Sequence, residues 1–232
     1  SYEEIQKWTY ENMLDVIALG FDPKKTHFLI DTKHANLLYP IAIKIAKKIN
    51  FSTLKAAFGF TDSYNIGSIF YTSMQAAPAV LPSVLKGKNV PCLIPLGADQ
   101  DPHFRVARDV YPKLGFYKPA IMHKMMFPSL TGSGAMSSSK DNVAIALTDS
   151  PAQVETKIKK YAFSGGKDTI EEHRKKGGNS DVDVSFQYLK MFFEPDDTKL
   201  KKLEQDYSSG KLSTSELKDY LIKKISVFLA EH

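Results

Sequence analysis

The 232-residue chain holds one cysteine, Cys92, so no internal disulfide can form. That excludes a cystine-stapled fold and a cysteine-rich zinc site, and it points to a reducing compartment. No apolar run approaches the roughly 18 residues of a membrane-spanning helix, so no membrane partner is expected. The opening Ser1-Tyr2-Glu3-Glu4-Ile5 puts charge where a secretory signal has its apolar stretch; export by that route is not expected and a cytoplasmic location is. The histidines His27, His34, His103, His123, His173 and His232 include no pair at the four-residue spacing of a helical metal site, and no serine, histidine and acid form a hydrolase motif. No protein-bound metal and no catalytic nucleophile are expected. Neither charge sign dominates, since 31 Lys and Arg against 26 Asp and Glu give a net +5, which permits a polyanionic partner without requiring one. Internal repeats and low-complexity tails are also absent.

What remains is the composition of a folded protein with a real core, 43% hydrophobic and 25% charged. Ile5, Trp8, Met13, Val16, Ile17 and Leu19 recur at helical spacing between a Ser1 cap and a Gly20 stop. His27-Phe28-Leu29-Ile30 reads as a short buried strand, and residues 35–49 as a helix with Pro40 in its first turn. Two shorter helices follow near 53–58 and 64–76, capped by Ser52 and by Asp62 or Ser63. Val90–Pro95, a helix from Pro102 to about Leu114 stopped by Gly115, and Ala120–His123 make strand, helix and strand with short connections, hence a parallel pair. Residues 128–142 lose all periodicity and fill with small residues. Beyond them the pattern is helical only, with capping-box spacing at Ser150 with Gln153, Asp168 with Glu171 and Ser213 with Glu216, and with glycine stops at Gly165-Gly166, Gly177-Gly178 and Gly210. The expected fold class is α/β, a parallel-sheet part followed by an all-helical part with a boundary near residue 150.

Three stretches can carry chemistry. Asp99-Gln100-Asp101-Pro102-His103 gathers acceptors and an amide at a strand's carboxyl end, where open α/β sheets bind ligands. Local capping by Asp101 before Pro102 explains part of it but not Gln100. Gln75, beside Ala76-Ala77-Pro78, offers a second amide at a predicted helix end, although such a residue is usually solvated. Ser137-Ser138-Ser139-Lys140 behind Gly132-Ser133-Gly134 fits either a phosphate-handling loop or a plain linker, and it lacks the spacing of a Walker A motif. From Lys157 to Lys176, seven basic residues face three acidic ones and interleave with Tyr161 and Phe163; this is either a nucleic-acid surface or the solvated face of helices.

Together, Met74–Pro78, Gly97–Pro102, Met136–Ser139, Tyr161–Arg174 and Asp181–Phe186 closely resemble the eukaryotic and archaeal tryptophanyl-tRNA synthetases over nearly the whole chain. The resemblance implies part of a class I catalytic domain of Rossmann type over 1–149 and a helical anticodon-binding domain over 150–232. It also implies a homodimer that makes tryptophanyl adenylate from tryptophan and ATP, with magnesium, and esterifies the tRNA. By the same resemblance Gln75 and Gln100 hold the amino acid near its α-amino group, and Gly97 and Asp99 face the nucleotide ribose. Met136, Ser137, Ser138, Ser139 and Lys140 close on the phosphates, while Phe163, Lys167, Asp168 and Lys218 face the tRNA. Two departures stand out. The family's His-x-Gly-His signature does not occur here, and Ala135 stands where the Lys-Met-Ser-x-Ser loop has its first lysine. The expected reading is therefore the carboxyl-terminal portion of a tryptophan–tRNA ligase. A catalytically inactive short paralogue acting as a tRNA-binding or dimerisation module, and a purely structural partner, stay open beside it.

Overall fold

The computed structural model describes residues 1–134, 136 and 144–232. In chain order its elements are α1 (Tyr2–Ala18), α2 (Ala35–Ala46), α3 (Phe51–Phe58), α4 (Ile66–Lys86), β1 (Leu93–Gly97), α5 (Asp101–Val110), β2 (Ala120–Lys124), α6 (Pro151–Tyr161), α7 (Ile170–Lys176), α8 (Val184–Tyr188), α9 (Asp197–Ser208) and α10 (Thr214–Glu231). They divide into two compact units. One is Lys24–Met125, and the other joins Ser1–Pro23 to Met126–His232.

In the first unit β1 and β2 pair in parallel, with Leu93 opposite Ala120 and Gly97 opposite Lys124. The strand, helix and strand order read from the sequence is therefore present, with α5 as the crossover. Gly115 ends the crossover at φ +81, a conformation that glycine adopts without strain. The core is the seam of α2 on α4, where Leu38, Ile41 and Ile45 meet Ala76, Ala77 and Val80 and continue onto Leu96, Phe104 and Val110. Three expectations change here. Residues 27–30 form no strand, because the chain turns back at once: the Ile30 N–H donates to the His34 ring, and the Ile30 carbonyl accepts from Lys33 and His34. Pro40 lies inside α2 and not in its first turn, and α4 runs through Pro78 and Pro82 to Lys86. Burial along this seam outweighs the hydrogen bonds that proline removes, and the buried Tyr111 hydroxyl donates to the Ala76 carbonyl at 2.9 Å. Finally, α3 and α4 begin at Asn50 and Asn65, and the Asn65 side chain accepts from the Ser68 N–H.

In the second unit Leu130, Val154, Ile158, Phe186, Leu217 and Leu221 form the centre of a helical core. The expected division at 149/150 is not where the compact units part. Residues 126–134 belong with the helices because Leu130 is fully buried among them, its carbonyl accepts from the Phe163 N–H at 2.7 Å, and the Tyr188 hydroxyl donates to the Pro128 carbonyl. So the first part of the expected loop is packed structure. Helix α1 forms with Ser1 as its cap, but none of its residues is buried, and Ile5 and Trp8 are each 61% exposed. It joins the unit at its far end, where Asp15 meets His232 at 3.2 Å. The capping boxes at Ser150 and Ser213 are both present, whereas α7 is capped by Thr169 rather than Asp168. Gly165 and Gly166 are positions of close approach, since a Cβ there would strike the Asn179 carbonyl and the Thr214 hydroxyl.

After α8 a single π-helical turn, Leu189–Phe193, delivers the Glu194 carboxylate into the unit. Burial raises its pKa, but hydrogen bonds from the Tyr220 hydroxyl, the Lys224 ammonium and the Asp196 N–H outweigh that and bring it down to about 2. A folded-state pKa below the unfolded one stabilises fully above the ordinary glutamate range and loses its effect as pH falls toward 2. Thermal unfolding between pH 5 and 2 should therefore show a fall of roughly 2 kcal/mol assignable to this group. In Glu194→Gln that segment of the pH dependence should be missing.

Candidate functional site

At the carboxyl end of β1 several polar groups of the first unit converge. Gly97 is buried at the strand end, and a single 3-10 turn, Ala98–Gln100, leads into α5. Across from it α4 presents Gln75, which lies mid-helix because α4 continues through the prolines. The Gln75 amide donates to Gln100 Oε1 at 3.4 Å, and the Gln100 amide donates to Asp99 Oδ2 at 2.8 Å. This chain of donors has a direction, and it leaves the Gln75 carbonyl and the Asp99 carboxylate as acceptors at its two ends. Such an array suits a ligand that donates, such as an ammonium or a sugar hydroxyl. The structure thus brings together Gln75, Gln100, Asp99 and Gly97.

Asp101 does not cap α5. Its carboxylate ties the crossover to β2, accepting from the His123 ring at 2.6 Å and from Arg105. The His123 contact foremost, opposed by burial and helped by Arg105, holds its pKa below the usual carboxylate range. Sequence reasoning assigned no role to His103 and overlooked Thr72. The Thr72 hydroxyl meets His103 Nδ1 at 2.9 Å, with Phe58 packed on the ring at 4.5 Å and the edge of Tyr71 at 5.3 Å. Burial lowers the His103 pKa against the opposing pull of Asp99 and so favours the neutral ring. A histidine three residues after Gln100 in a helix-start motif was the available signal.

In the second unit Phe163 follows the end of α6 and Lys218 reaches it from α10. Phe163 is held through its backbone on both sides: its N–H donates to Leu130 and its carbonyl accepts from Val184 at 3.1 Å. Its ring nevertheless stays 50% exposed, with Gly132 against its Cβ. Lys218 reaches the Lys159 carbonyl at 3.3 Å; burial pushes its pKa down while the charge of Asp183 pulls the other way. Lys167 and Asp168 are exposed. Of the basic run, Lys157 pairs with Asp149, Lys159 with Glu155 and Asp219, Lys176 with Glu172, and Arg174 with Glu216. Much of that run is therefore a set of ion pairs among helices, and Lys160, Lys167 and Lys175 are its members with no acidic partner within 4.0 Å among the described residues.

Met136 is placed by a hydrogen bond from its N–H to the Phe127 carbonyl, 2.8 Å. It lines an apolar cavity of about 240 Å³ with Phe127, Ile145, Tyr188, Phe192 and Phe228. Ser137, Ser138, Ser139 and Lys140 lie outside the described residues, as does Ala135.

A polar array at the carboxyl edge of a parallel strand pair lies where open α/β sheets bind ligands. The model of the family "tRNA synthetases class I (W and Y)" matches residues 1–230, and the chain belongs to that family. It is 54% identical over 231 residues to the tryptophan–tRNA ligase of Sulfurisphaera tokodaii, covering 99% of this chain and 59% of that protein. With the cytoplasmic tryptophan–tRNA ligase of Schizosaccharomyces pombe it shares 48% over 237 residues, 100% of this chain and 60% of that protein. The solved tryptophanyl-tRNA synthetase from Giardia lamblia superposes at a TM-score of 0.90 with 38% identity, covering 100% of this chain and 65% of that one. The chain thus spans about three fifths of the length of these relatives.

Proposed function

We propose that the chain forms part of a tryptophan–tRNA ligase, contributing half of the amino-acid and nucleotide site and the tRNA-facing helical part. The observation that carries this reading is the directed array of Gln75, Gln100 and Asp99 at the carboxyl edge of β1. Gln75 and Gln100 hold the α-amino group of tryptophan, an ammonium that needs acceptors, while Asp99 and Gly97 face the ribose of ATP. The loop from Met136 through Ser137, Ser138 and Ser139 to Lys140 closes on the phosphates. Magnesium arrives with the nucleotide; among the described residues no three His, Cys, Asp or Glu side chains gather in metal-ligating reach. The partners are tryptophan, ATP, the tRNA for tryptophan and a second copy of the chain, and the location is the cytoplasm. No helix among the described residues is long and apolar enough to cross a membrane.

Phe163, fixed by its backbone and half exposed, supports a stacking role against an anticodon base, and Lys167, Asp168 and Lys218 take the remaining tRNA-facing roles. The inactive-paralogue reading is not favoured, because the relatives at 48–54% identity are tryptophan–tRNA ligases.

The reading is tested in the full natural polypeptide by tryptophan-dependent exchange of pyrophosphate into ATP. Replacing Gln100 with Ala should lower kcat/KM for tryptophan about a hundredfold, since the site loses a polar group placed to read the ligand. Phe163→Ala should leave exchange intact and weaken tRNA binding by about tenfold to a hundredfold, the worth of one stacked base. If Gln100→Ala exchanges normally, the amino-acid assignment is wrong.

A further inference from the structure

The polar face of α4 and the start of α5 meet through two rungs. Thr72 and Gln75 are three residues apart on α4, and His103 and Gln100 are three apart in the opposite sense, so 72 with 103 and 75 with 100 form an antiparallel ladder. The outer rung between the glutamines is long for an N–H···O bond at 3.4 Å. The inner rung is 2.9 Å, and Thr72 is fully buried. A buried hydroxyl needs an acceptor for its proton, and among the described residues the Thr72 hydroxyl has one partner, His103 Nδ1. Nδ1 therefore accepts, and the neutral ring carries its proton on Nε2. Phe58 and Tyr71 pack against the same ring, at 4.5 and 5.3 Å between centroids.

We propose that Thr72 and His103 are positioning residues for the amino-acid ligand: their buried hydrogen bond holds the first turn of α5 at the distance from α4 at which Gln75 and Gln100 act on one ammonium. The proposal rests on the reading that this array binds the amino acid. A small outward shift of α5 separates the two amides, whose contact is already long, while the buried rung has no slack of its own.

The test uses Thr72→Val, which keeps the shape and removes the hydroxyl, and Thr72→Ser, which restores it. In the full polypeptide Thr72→Val should raise the tryptophan KM about tenfold, with the ATP KM changed less than about twofold; Thr72→Ser should return the tryptophan KM to within about threefold of the parent. Nitrogen-15 NMR of labelled histidine should find His103 unprotonated at Nδ1 and protonated at Nε2 in the parent, and a mixture of tautomers in Thr72→Val. An unchanged tryptophan KM in Thr72→Val, or a fall in thermal midpoint with both KM values unmoved, overturns the proposal while leaving the ligase reading intact. A parent protein with no tryptophan-dependent exchange overturns both.

Discussion

Asp183→Ala should destabilise the helical unit by at least about 4 kcal/mol, enough to leave it largely unfolded at ambient temperature. Asp183 is fully buried, and its carboxylate accepts from the N–H groups of Gly165 and Ser185 at 2.9 Å each, from Phe186 at 3.2 Å and from the Tyr207 hydroxyl at 2.7 Å. Truncation strands four donors in a site closed to water, and each orphan costs about 1–3 kcal/mol before relaxation. Two of them start α8, one fixes the segment carrying Phe163, and the Tyr207 hydroxyl fixes α9 to both. Burial, assisted by the adjacent carboxylate and opposed by hydrogen bonds from Ser164 and Thr214, pushes the Tyr207 hydroxyl up to about 12, so it stays a donor across the working pH range. Asp181→Ala provides the contrast. That residue is exposed, and its loss should cost no more than about 0.5 kcal/mol. Urea unfolding of the two variants measures the difference. A loss under about 1 kcal/mol for Asp183→Ala would mean that the polar hub is dispensable. Because Phe163 sits two residues from the anchored Gly165, tRNA binding should fall with stability in this variant.

Gly177→Ala should cost about 3–5 kcal/mol. Gly177 stands at φ +69, which an L side chain enters at a cost of about 1–2 kcal/mol. A Cβ there would also run into the Ser208 carbonyl at the end of α9, which is backbone and cannot swing aside. Gly210 faces the His173 carbonyl in the same way, so the end of α7 and the turn before α10 approach backbone to backbone. Gly87 is the milder case on both counts, a left-handed cap at φ +61, ψ 17 with nothing within 4 Å of an added methyl, whereas Gly177 has ψ 173, a region essentially reserved for glycine. Gly87→Ala should therefore lose only about 1 kcal/mol. Equal losses at the two glycines, read by thermal unfolding, would refute the close-approach explanation.

These two sites mark where sequence reading stops. The Gly115 stop and the boxes at Ser150 and Ser213 were legible because each depends on residues a few positions apart, and the parallel strand pair because strand, helix and strand follow one another with short connections. Gly177 ends α7 as read, whereas Gly165 and Gly166 lie beyond the α6 cap at Ala162; all three also serve as gaps, Gly165 for backbone from Asn179, Gly166 for Thr214 and Gly177 for Ser208. Contacts of that kind leave no periodic trace. The prolines misled for a similar reason: local propensity ends a helix at Pro78, and only the buried seam with α2 shows why α4 continues. At the candidate site Gln75, Gln100 and Asp99 could be named from the motifs. Thr72 could not, since a threonine within an apolar helix looks like core until its partner 31 residues away is known. The basic run from Lys157 is ambiguous in sequence, and its geometry assigns most of it to ion pairs with acids on the same helix or on neighbouring segments.

For the proposed activation of tryptophan by the full natural polypeptide, the family's own division between W and Y supplies the sharpest comparison. The decisive measurement is ATP–pyrophosphate exchange by the full natural polypeptide with tryptophan and with tyrosine in parallel. Exchange that requires tryptophan and ignores tyrosine is the expected result. Exchange driven by tyrosine, or none with either amino acid, would contradict it.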